Sequence, residues 1–123
     1  MKYEKITFDI IKSFYKVYNT LGHGFLEKVY ENSLSLELKK LGYTVESQRA
    51  INVYYDNQEV GNYYADLLIN DEIILELKVV EKLKDEHKFQ LINYLKATDI
   101  EIGLLLNFGK NPEVKRVVFA NKK

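Results

Sequence analysis

Two apolar runs separated by a turn signal occupy residues 65–78, whose sequence is ADLLINDEIILELK. The pair Asn70-Asp71 between the runs is typical of a tight turn, so the segment is predicted to form a β-hairpin. A turn centred near Asp71 sets Asp66 opposite Glu76, because the two residues are equally distant from it. Side chains alternate between the faces of a strand, so Lys78 is expected to point the same way as Glu76.

Three charged side chains, Asp66, Glu76 and Lys78, are therefore expected to converge on one face of this hairpin. Burying such charges costs several kcal/mol each unless they pair with one another or hold a metal. A pair of carboxylates is the usual hard-oxygen anchor for Mg²⁺. An exposed hairpin face that carries an ordinary ion pair would show the same three residues. The charges alone leave both interpretations open.

Apolar residues surround these charges on both predicted faces of the hairpin. The face with the charges carries Tyr64, Leu68, Ile74 and Val80, and the other face carries Ala65, Leu67, Ile69, Ile73, Leu75, Leu77 and Val79. Apolar residues on both faces of a strand are typical of a sheet that is covered on both sides. Isolated charges on a covered face require a partner or a ligand, which favours the metal site.

Composition indicates one modest domain without a dominant charge. The chain has 123 residues, of which 46% are hydrophobic, and this suffices for a single core over residues 1–123. It contains no Cys, which excludes disulfides, thiolate zinc sites and cysteine nucleophiles and fits a reducing compartment. Its 18 basic and 18 acidic residues balance, so any contact with nucleic acid must be local.

The sequence shows no sign of membrane insertion or secretion. No apolar run approaches the roughly 18 residues that span a bilayer. The first residues, MKYEKITFDI, include acidic side chains earlier than a secretion signal allows. We therefore expect a cytoplasmic protein with no membrane partner.

Hydrophobic spacing and turn signals predict three helices and six strands along the chain. The helices are expected over Glu4–Asn19, Leu26–Leu41 and Asp85–Ala97, and the strands over Tyr43–Glu46, Ile51–Tyr55, Glu59–Ile69, Ile73–Val80, Ile100–Asn107 and Val114–Phe119. This order indicates an α/β fold, in which a single mixed sheet is flanked by helices. The third helix is long enough for a right-handed crossover, so the strands on either side of it are expected to be parallel. The last residues, Asn121–Lys123, are expected to fray.

An Asp on one strand, Glu-x-Lys on the next, and then a helix and another strand resemble the core of the PD-(D/E)xK nuclease superfamily. The stretch GFLEKVY, residues 24–30, is similar to the signature of the GxxExxY family within it. The resemblance runs from about Leu21 to Asn107 and includes GYTVESQ, YYADLLI, ILELK and QLINYLKA. It implies a restriction-endonuclease-like core. Ala65 stands where the superfamily name has Pro, a residue that sets backbone shape and offers no ligand.

The resemblance also implies a metal site in the hairpin. Asp66 and Glu76 would bind Mg²⁺ or Mn²⁺, and the backbone carbonyl of Leu77 would complete the protein ligands. Glu27, on the second helix, would contribute a further acidic group, either directly or through water. Lys78 would hold or polarise the attacking water and offset charge on the scissile phosphate. Such chemistry needs no Cys, Ser or His nucleophile.

Two residues of the third helix are implied in substrate binding. Gln90 and Tyr94 match the Gln-x-x-x-Tyr pattern of exonuclease-like members, where these residues orient the site and contact nucleic acid. A plain hydrogen bond between the two, with Tyr94 packed in the core, explains their spacing equally well. Glu27 is open to a similar alternative, since a Glu on a helix is commonly solvated.

The histidines and tyrosines are assigned no catalytic role beyond Tyr94. Hard cations prefer oxygen ligands, so His23 is expected in a loop and His87 exposed in the first turn of its helix. The 10 tyrosines could stack on nucleobases. Most of them are instead expected to cover the faces of the sheet, as Tyr does on half-buried strands.

The resemblance implies a metal-dependent nuclease that hydrolyses phosphodiester bonds in DNA, with two carboxylates activating water through the metal and a Lys assisting. The alternative is a non-catalytic nucleic-acid-binding or regulatory module that retains the nuclease fold. The balanced charge and small size favour this alternative, or imply that a second copy of the chain or another protein supplies the grip on DNA.

Overall fold

The computed structural model describes residues 3–120, and the predicted fraying of Asn121–Lys123 lies outside this range. The helices are α1 (Glu4–Leu21), α2 (Glu27–Lys40) and α3 (Asp85–Lys96), and the strands are β1 (Val45–Tyr55), β2 (Gln58–Ile69), β3 (Ile73–Lys78), β4 (Ile102–Asn107) and β5 (Glu113–Val118). Within residues 3–120, no helix is both long and apolar enough to cross a membrane.

The five strands form one mixed sheet in the order β1-β2-β3-β4-β5. The β1–β2, β2–β3 and β4–β5 pairs are antiparallel, and β3 and β4 are parallel. Helix α3 connects the two parallel strands, as the crossover requires. The expected α/β fold, a mixed sheet flanked by helices, is therefore confirmed, and it is consistent with a restriction-endonuclease-like core.

Each face of the sheet packs against helices, because apolar side chains alternate along the central strands. Helices α1 and α2 cover one face through a cluster that includes Ile10, Phe14, Tyr30, Leu34, Leu67, Ile69, Ile73, Leu75 and Leu77. Helix α3 covers the other face through a cluster that includes Ala65, Leu68, Ile74, Leu91, Tyr94 and Leu95. Each fully buried Leu or Ile stabilises the fold by roughly 1.5–3 kcal/mol relative to an exposed one.

The predicted hairpin turn at Asn70-Asp71 is confirmed. Both residues have a positive φ, 52° and 56°, as a tight hairpin turn requires. Asn70 Oδ1 also accepts hydrogen bonds from the backbone N–H and the hydroxyl of Thr44, at 2.8 and 3.0 Å. The turn is thereby fixed against the residue that precedes β1, and Ile69 lies opposite Ile73.

Strand β1 differs from the prediction of two separate strands. It is continuous over Val45–Tyr55 and pairs along its length with β2. The polar segment between the two predicted strands, SQRA at residues 47–50, carries no strand signal of its own. Its strand conformation depends on pairing with β2, and such tertiary pairing overrides weak local preference.

The predicted face of Ala65 is wrong. Ala65 packs with Leu68 in the α3 cluster, and Leu67 belongs to the cluster under α1 and α2. The alternation of side chains is therefore broken between Ala65 and Leu67. Across from this point on β1, Gln48 has a φ of 55°. The pairs on either side of this point are regular, so the irregularity is confined to Gln48 and the residue opposite, Asp66. Strand β3 also ends at Lys78 rather than at Val80.

Candidate active site

A fork opens in the sheet where β2 separates from β3. These strands pair only where Leu67–Ile69 lies opposite Ile73–Leu75, although β2 continues to pair with β1 far beyond this point. Extending the register by one position places Asp66 opposite Glu76, at the mouth of the fork. The separation leaves space between two strands for side chains where ladder hydrogen bonds would otherwise run.

The two carboxylates occupy this fork and bind the backbone of the opposite strand. The backbone N–H of Asp66 donates a hydrogen bond to Glu76 Oε1 at 2.9 Å. The backbone N–H of Leu77 donates a hydrogen bond to Asp66 Oδ2 at 2.8 Å. These bonds satisfy backbone groups that lack a ladder partner. The structure thus brings Asp66 and Glu76 together, as the hairpin register predicts.

The backbone of Leu77 adds a third oxygen at the fork. The N–H and C=O of one strand residue point to the same edge of the strand, and the Leu77 N–H points to Asp66. The next residue, Lys78, points its C=O toward β4, where it accepts a hydrogen bond from the Phe108 N–H at 2.8 Å. The carbonyl of Leu77 therefore faces the same side as the two carboxylates.

Burial shifts the acidity of the fork carboxylates. Glu76 is only 5% exposed, and burial together with the charge of Asp66 raises its pKa to about 8. Burial also raises the pKa of Asp66, although the hydrogen bond from Leu77 acts in the opposite direction. Like charges in a covered site disfavour joint ionisation. Without a cation, the pair is therefore expected to retain a proton near neutral pH.

Glu27 reaches the fork from the face covered by α1 and α2. It is the first residue of α2, and its carboxyl group lies close enough to Asp66 for the charge of Asp66 to act on it. Burial raises the pKa of Glu27, and the charge of Asp66 raises it further, with Lys78 acting in the opposite direction. Glu27 is thus a third acidic group at the fork, rather than the solvated Glu of the alternative interpretation.

Tyr30 fixes the loop that delivers Glu27. Its hydroxyl donates a hydrogen bond to the carbonyl of Gly22 at 2.6 Å and accepts one from the Phe25 N–H at 3.2 Å. Its ring is fully buried and stacks on Phe108, with 4.5 Å between the ring centroids. These contacts hold both ends of the loop before α2, so the helix begins at Glu27.

Lys78 supplies the positive charge of the site. It lowers the pKa of Asp66, Glu76 and Glu27 through its charge. Within residues 3–120, no carboxylate lies within the 4.0 Å ion-pair distance of Lys78 Nζ. The ammonium group is close enough to act on the carboxylates electrostatically and is not held by any of them.

Tyr94 approaches the fork from the opposite face, on α3. It is almost fully buried, and burial together with the charges of Glu76 and Asp66 raises its pKa to about 12. Gln90 lies one turn earlier and lines a groove with Tyr94. Among the described residues, Gln90 makes no hydrogen bond to Tyr94 or to the fork carboxylates. Tyr94 thus combines core packing with proximity to the carboxylates, and Gln90 lies beside it.

Two residues that contact this site, Glu31 and Gln48, were not predicted from the sequence. Glu31 is 2% exposed and accepts hydrogen bonds from Lys28 at 2.7 Å, Ser47 at 2.7 Å and Gln48 at 3.0 Å. The Nε2 of Gln48 also lies 3.5 Å from Asp66 Oδ1. Glu31 stands four residues after Glu27, on the same side of α2, and this spacing was a usable signal. Gln48 lies within GYTVESQ, one of the stretches that carry the family resemblance.

The histidines lie apart from the fork. His23 is an exposed loop residue, as expected. His87 lies in the first turn of α3, but it is half-buried rather than exposed, because its Nδ1 accepts a hydrogen bond from the backbone N–H of Lys84 at 3.0 Å. This contact caps the helix.

The donor set fits a hard divalent cation with several bound waters. Among residues 3–120, no three His, Asp or Glu side chains form a ready-made metal centre. Two carboxylates and a backbone carbonyl nevertheless meet at the fork, and Mg²⁺ is commonly held by one or two carboxylates while keeping much of its water. The residues present therefore suit Mg²⁺ or Mn²⁺ better than a metal that needs nitrogen or sulfur ligands.

Comparisons with known proteins bear on the fold and the family of this chain. No curated protein matches the chain. Among solved structures, the crystal structure of SSO0001 is similar, with a TM-score of 0.59 and 20% identity over 98% of this chain. The match spans 61% of that chain. Because the identity is only 20%, the similarity supports the fold alone. The family model of the PD-(D/E)XK nuclease superfamily matches residues 4–117. Because this match includes every helix and nearly all of the sheet, the chain belongs to the PD-(D/E)XK nuclease superfamily.

Proposed function

We propose that this protein is a metal-dependent nuclease that hydrolyses phosphodiester bonds in DNA. The observation that carries the proposal is the fork, where Asp66, Glu76, Glu27 and Lys78 act on one another electrostatically. Three acidic groups and one basic group at a break in a sheet are costly to the fold unless they serve a ligand. Phosphodiester hydrolysis uses such a set, because negative charge develops on the phosphate and a water must be activated.

Mg²⁺ or Mn²⁺ would be held by Asp66 and Glu76, with the carbonyl of Leu77 as a third protein oxygen. Once bound, such a cation lowers the pKa of a water and offsets the charge of the phosphate. In the metal-free state the carboxylates accept hydrogen bonds from two backbone N–H groups, and the raised pKa of Glu76 favours retention of a proton. Metal binding would displace that proton, because the ligands must be ionised to bind.

The remaining residues would act on water and phosphate. Lys78 Nζ would donate a hydrogen bond to the attacking water or to a phosphate oxygen, because no carboxylate of residues 3–120 forms an ion pair with it. Glu27 would accept a proton from that water, because its raised pKa is closer to the working pH than that of an ordinary Glu. Gln90 and Tyr94 would orient the nucleic acid from α3. Gln48, braced by Glu31, would keep the Asp66 carboxylate in place.

We also propose that the chain belongs to the GxxExxY group of the superfamily. Gly24, Glu27 and Tyr30 form the signature, and the contacts of Tyr30 give it a physical reason: they set the position at which α2 begins. The balanced charge of the chain suggests that a second copy or another protein contributes to the grip on DNA.

One observation favours the alternative of a non-catalytic nucleic-acid-binding or regulatory module. Both fork carboxylates already accept backbone hydrogen bonds, so the fold does not require a cation to satisfy them. Such a module would keep the fork as a structural element. The two proposals differ in whether divalent cations bind and whether cleavage follows.

A cleavage assay with matched variants tests the proposed function. Purified protein should cleave DNA with Mg²⁺ or Mn²⁺ and not with EDTA. Lys78→Ala should lose most of the rate, because Lys78 acts on water and phosphate, and it should still be stabilised by Mn²⁺. Glu76→Ala should lose both the cleavage rate and the stabilisation by Mn²⁺. Glu72→Ala is the control, because Glu72 is an exposed acidic residue of the same hairpin, and it should keep both. Cleavage that is undiminished in Lys78→Ala and Glu76→Ala would show a contaminating nuclease and contradict the proposal.

A further inference from the structure

An aromatic groove lies between α3 and the outer part of the β1–β2 hairpin. Its volume is about 710 Å³, within the range of ligand-binding sites. The rings of Tyr54, Tyr63, Phe89 and Tyr94 line it. Tyr54, Tyr63 and Phe89 are 62%, 49% and 59% exposed. Exposing several large rings in one groove suggests a ligand with flat apolar faces.

Tyr94 borders both the groove and the fork. The Tyr94 ring lies 5.8 Å from the Tyr63 ring, at the groove. The same residue is close enough to Glu76 and Asp66 for their charges to act on its hydroxyl. A ligand group placed at the carboxylates would therefore have its neighbouring groups in or beside the groove.

The polar groups of the groove match the edges of nucleobases. The side-chain amides of Gln90 and Asn93 line it, and each amide can both donate and accept hydrogen bonds. Glu86 and Lys96 supply one negative and one positive charge, so the groove has no net charge of its own. Aromatic faces combined with amides suit bases, whose rings stack and whose edges both donate and accept.

We propose that this groove binds unpaired nucleobases of the DNA strand whose phosphate lies at the fork, and that the substrate is single-stranded there. The inference rests on the proposed function for the position of the phosphate. In a duplex the bases stack on one another and cannot stack on Tyr63 or Phe89. Recognition through the rings thus selects a single strand, or a single-stranded segment beside a duplex, over continuous duplex.

Two pairs of neighbouring tyrosines provide matched variants. Tyr63 lines the groove and Tyr64 does not, and the two are 49% and 55% exposed. Tyr54 lines the groove and Tyr55 does not, with 62% and 76% exposed. Both members of each pair are exposed, so alanine substitution should leave the fold intact, which a thermal melt verifies.

The experiment measures binding without catalysis. Fluorescence anisotropy in EDTA would follow a labelled single strand of about 12 thymidines, a length within the range of single-strand sites, and a duplex of the same length. We expect the single strand to bind more tightly than the duplex. Tyr63→Ala and Tyr54→Ala should weaken single-strand binding by roughly 5-fold to 150-fold. Tyr64→Ala and Tyr55→Ala should change it by less than about 2-fold, on the same scale.

The outcomes separate this inference from the proposed function. Three results would contradict the proposal that the groove binds unpaired bases. These are equal losses of affinity in both members of a tyrosine pair, tighter binding of the duplex, and no binding of the single strand. A protein that cleaves duplex DNA with Mn²⁺ at a rate insensitive to Tyr63→Ala would retain the nuclease proposal and overturn the groove. Single-strand binding lost in Tyr63→Ala, without cleavage by the wild type, would retain the groove and contradict the nuclease proposal.

Discussion

Asp66 and Glu76 are linked through the backbone as well as through their charges: the N–H of Asp66 donates a hydrogen bond to Glu76 Oε1 at 2.9 Å. The Asp66 carboxylate in turn accepts the N–H of the residue after Glu76. Each carboxylate therefore replaces a ladder hydrogen bond that the fork has removed. The same two groups repel each other when both are ionised. Their hydrogen bonds therefore stabilise the fold, while the repulsion between their charges destabilises it.

Replacing Asp66 with Asn should stabilise the metal-free protein at pH 8. Asn keeps an oxygen that can accept the Leu77 N–H, while it removes the charge that raises the pKa of Glu76. The gain is expected to be on the order of 1 kcal/mol in the free energy of unfolding, measured by urea denaturation in EDTA. A clear loss of stability instead would identify Asp66 as a structural partner rather than a site residue.

The stability of the metal-free protein should fall as the pH rises from about 4.5 to about 8. The pKa of Glu76 is raised to about 8 from its ordinary value of 4.5, so the folded state binds more protons than the unfolded state in this window. The stabilisation is complete below pH 4.5 and is lost above pH 8. Glu76→Gln should not show this loss, and the difference between the two curves should reach roughly 1–4 kcal/mol.

Urea denaturation of both proteins across this pH range measures that difference. Carboxylates whose pKa is lowered by ion pairs, such as Glu37, act in the opposite direction in both proteins and cancel in the comparison. Curves that stay parallel across the window would show that the fold does not raise the pKa of Glu76.

Removing the buried carboxylate of Glu31 should destabilise the protein. Glu31→Ala leaves Ser47 and Gln48 without their acceptor, which is expected to cost about 1–3 kcal/mol. Glu37→Ala is the matched control on α2, because Glu37 makes only ion pairs with partly exposed lysines, worth about 1 kcal/mol or less. Equal free energies of unfolding for the two variants would exclude the proposed brace.

Removing the hydroxyl of Tyr30 should slow DNA cleavage in addition to lowering the free energy of unfolding. Tyr30→Phe removes the hydrogen bonds to Gly22 and Phe25 and should cost about 0.5–1.5 kcal/mol for each. It should also slow cleavage, because the start of α2 carries Glu27. Tyr18→Phe loses two hydrogen bonds to backbone carbonyls that follow β4, outside the loop that precedes α2, and serves as the control.

The cleavage rates of the two variants show whether Tyr30→Phe misplaces Glu27 or slows cleavage only through a general loss of stability. We expect Tyr18→Phe to lose stability and keep the rate of the wild type. If both variants slow cleavage to the same degree, the loop before α2 has no special role in placing Glu27.

The sequence was sufficient for the centre of the site because hairpin register follows from the turn. A turn at Asn70-Asp71 sets the register of the hairpin, and this register places Asp66 opposite Glu76. The apolar pattern then indicates which side chains of the hairpin are buried. The crossover helix likewise follows from its length and places β3 parallel to β4.

The surroundings of the site could not be obtained in this way. The positive φ of Gln48 and the face change at Ala65 arise only when β1 pairs with β2, and no local pattern signals them. The same pairing brings Tyr54 and Tyr63 beside α3, where they are 62% and 49% exposed. Glu31 is buried by contacts to Ser47 and Gln48, which are distant in sequence, so its burial is a tertiary property.

The central claim is that the fork binds a divalent cation through Asp66 and Glu76, and thermal melting with added Mn²⁺ tests it most directly. The Tm of the wild type should rise with the logarithm of the Mn²⁺ concentration above the Kd, since a ligand at 100 times its Kd stabilises by about 2.7 kcal/mol. Asp66→Asn should show no such rise, and Asp71→Asn, an exposed Asp of the same hairpin, should respond like the wild type. A rise of equal size in all three proteins would place the cation elsewhere and contradict the account.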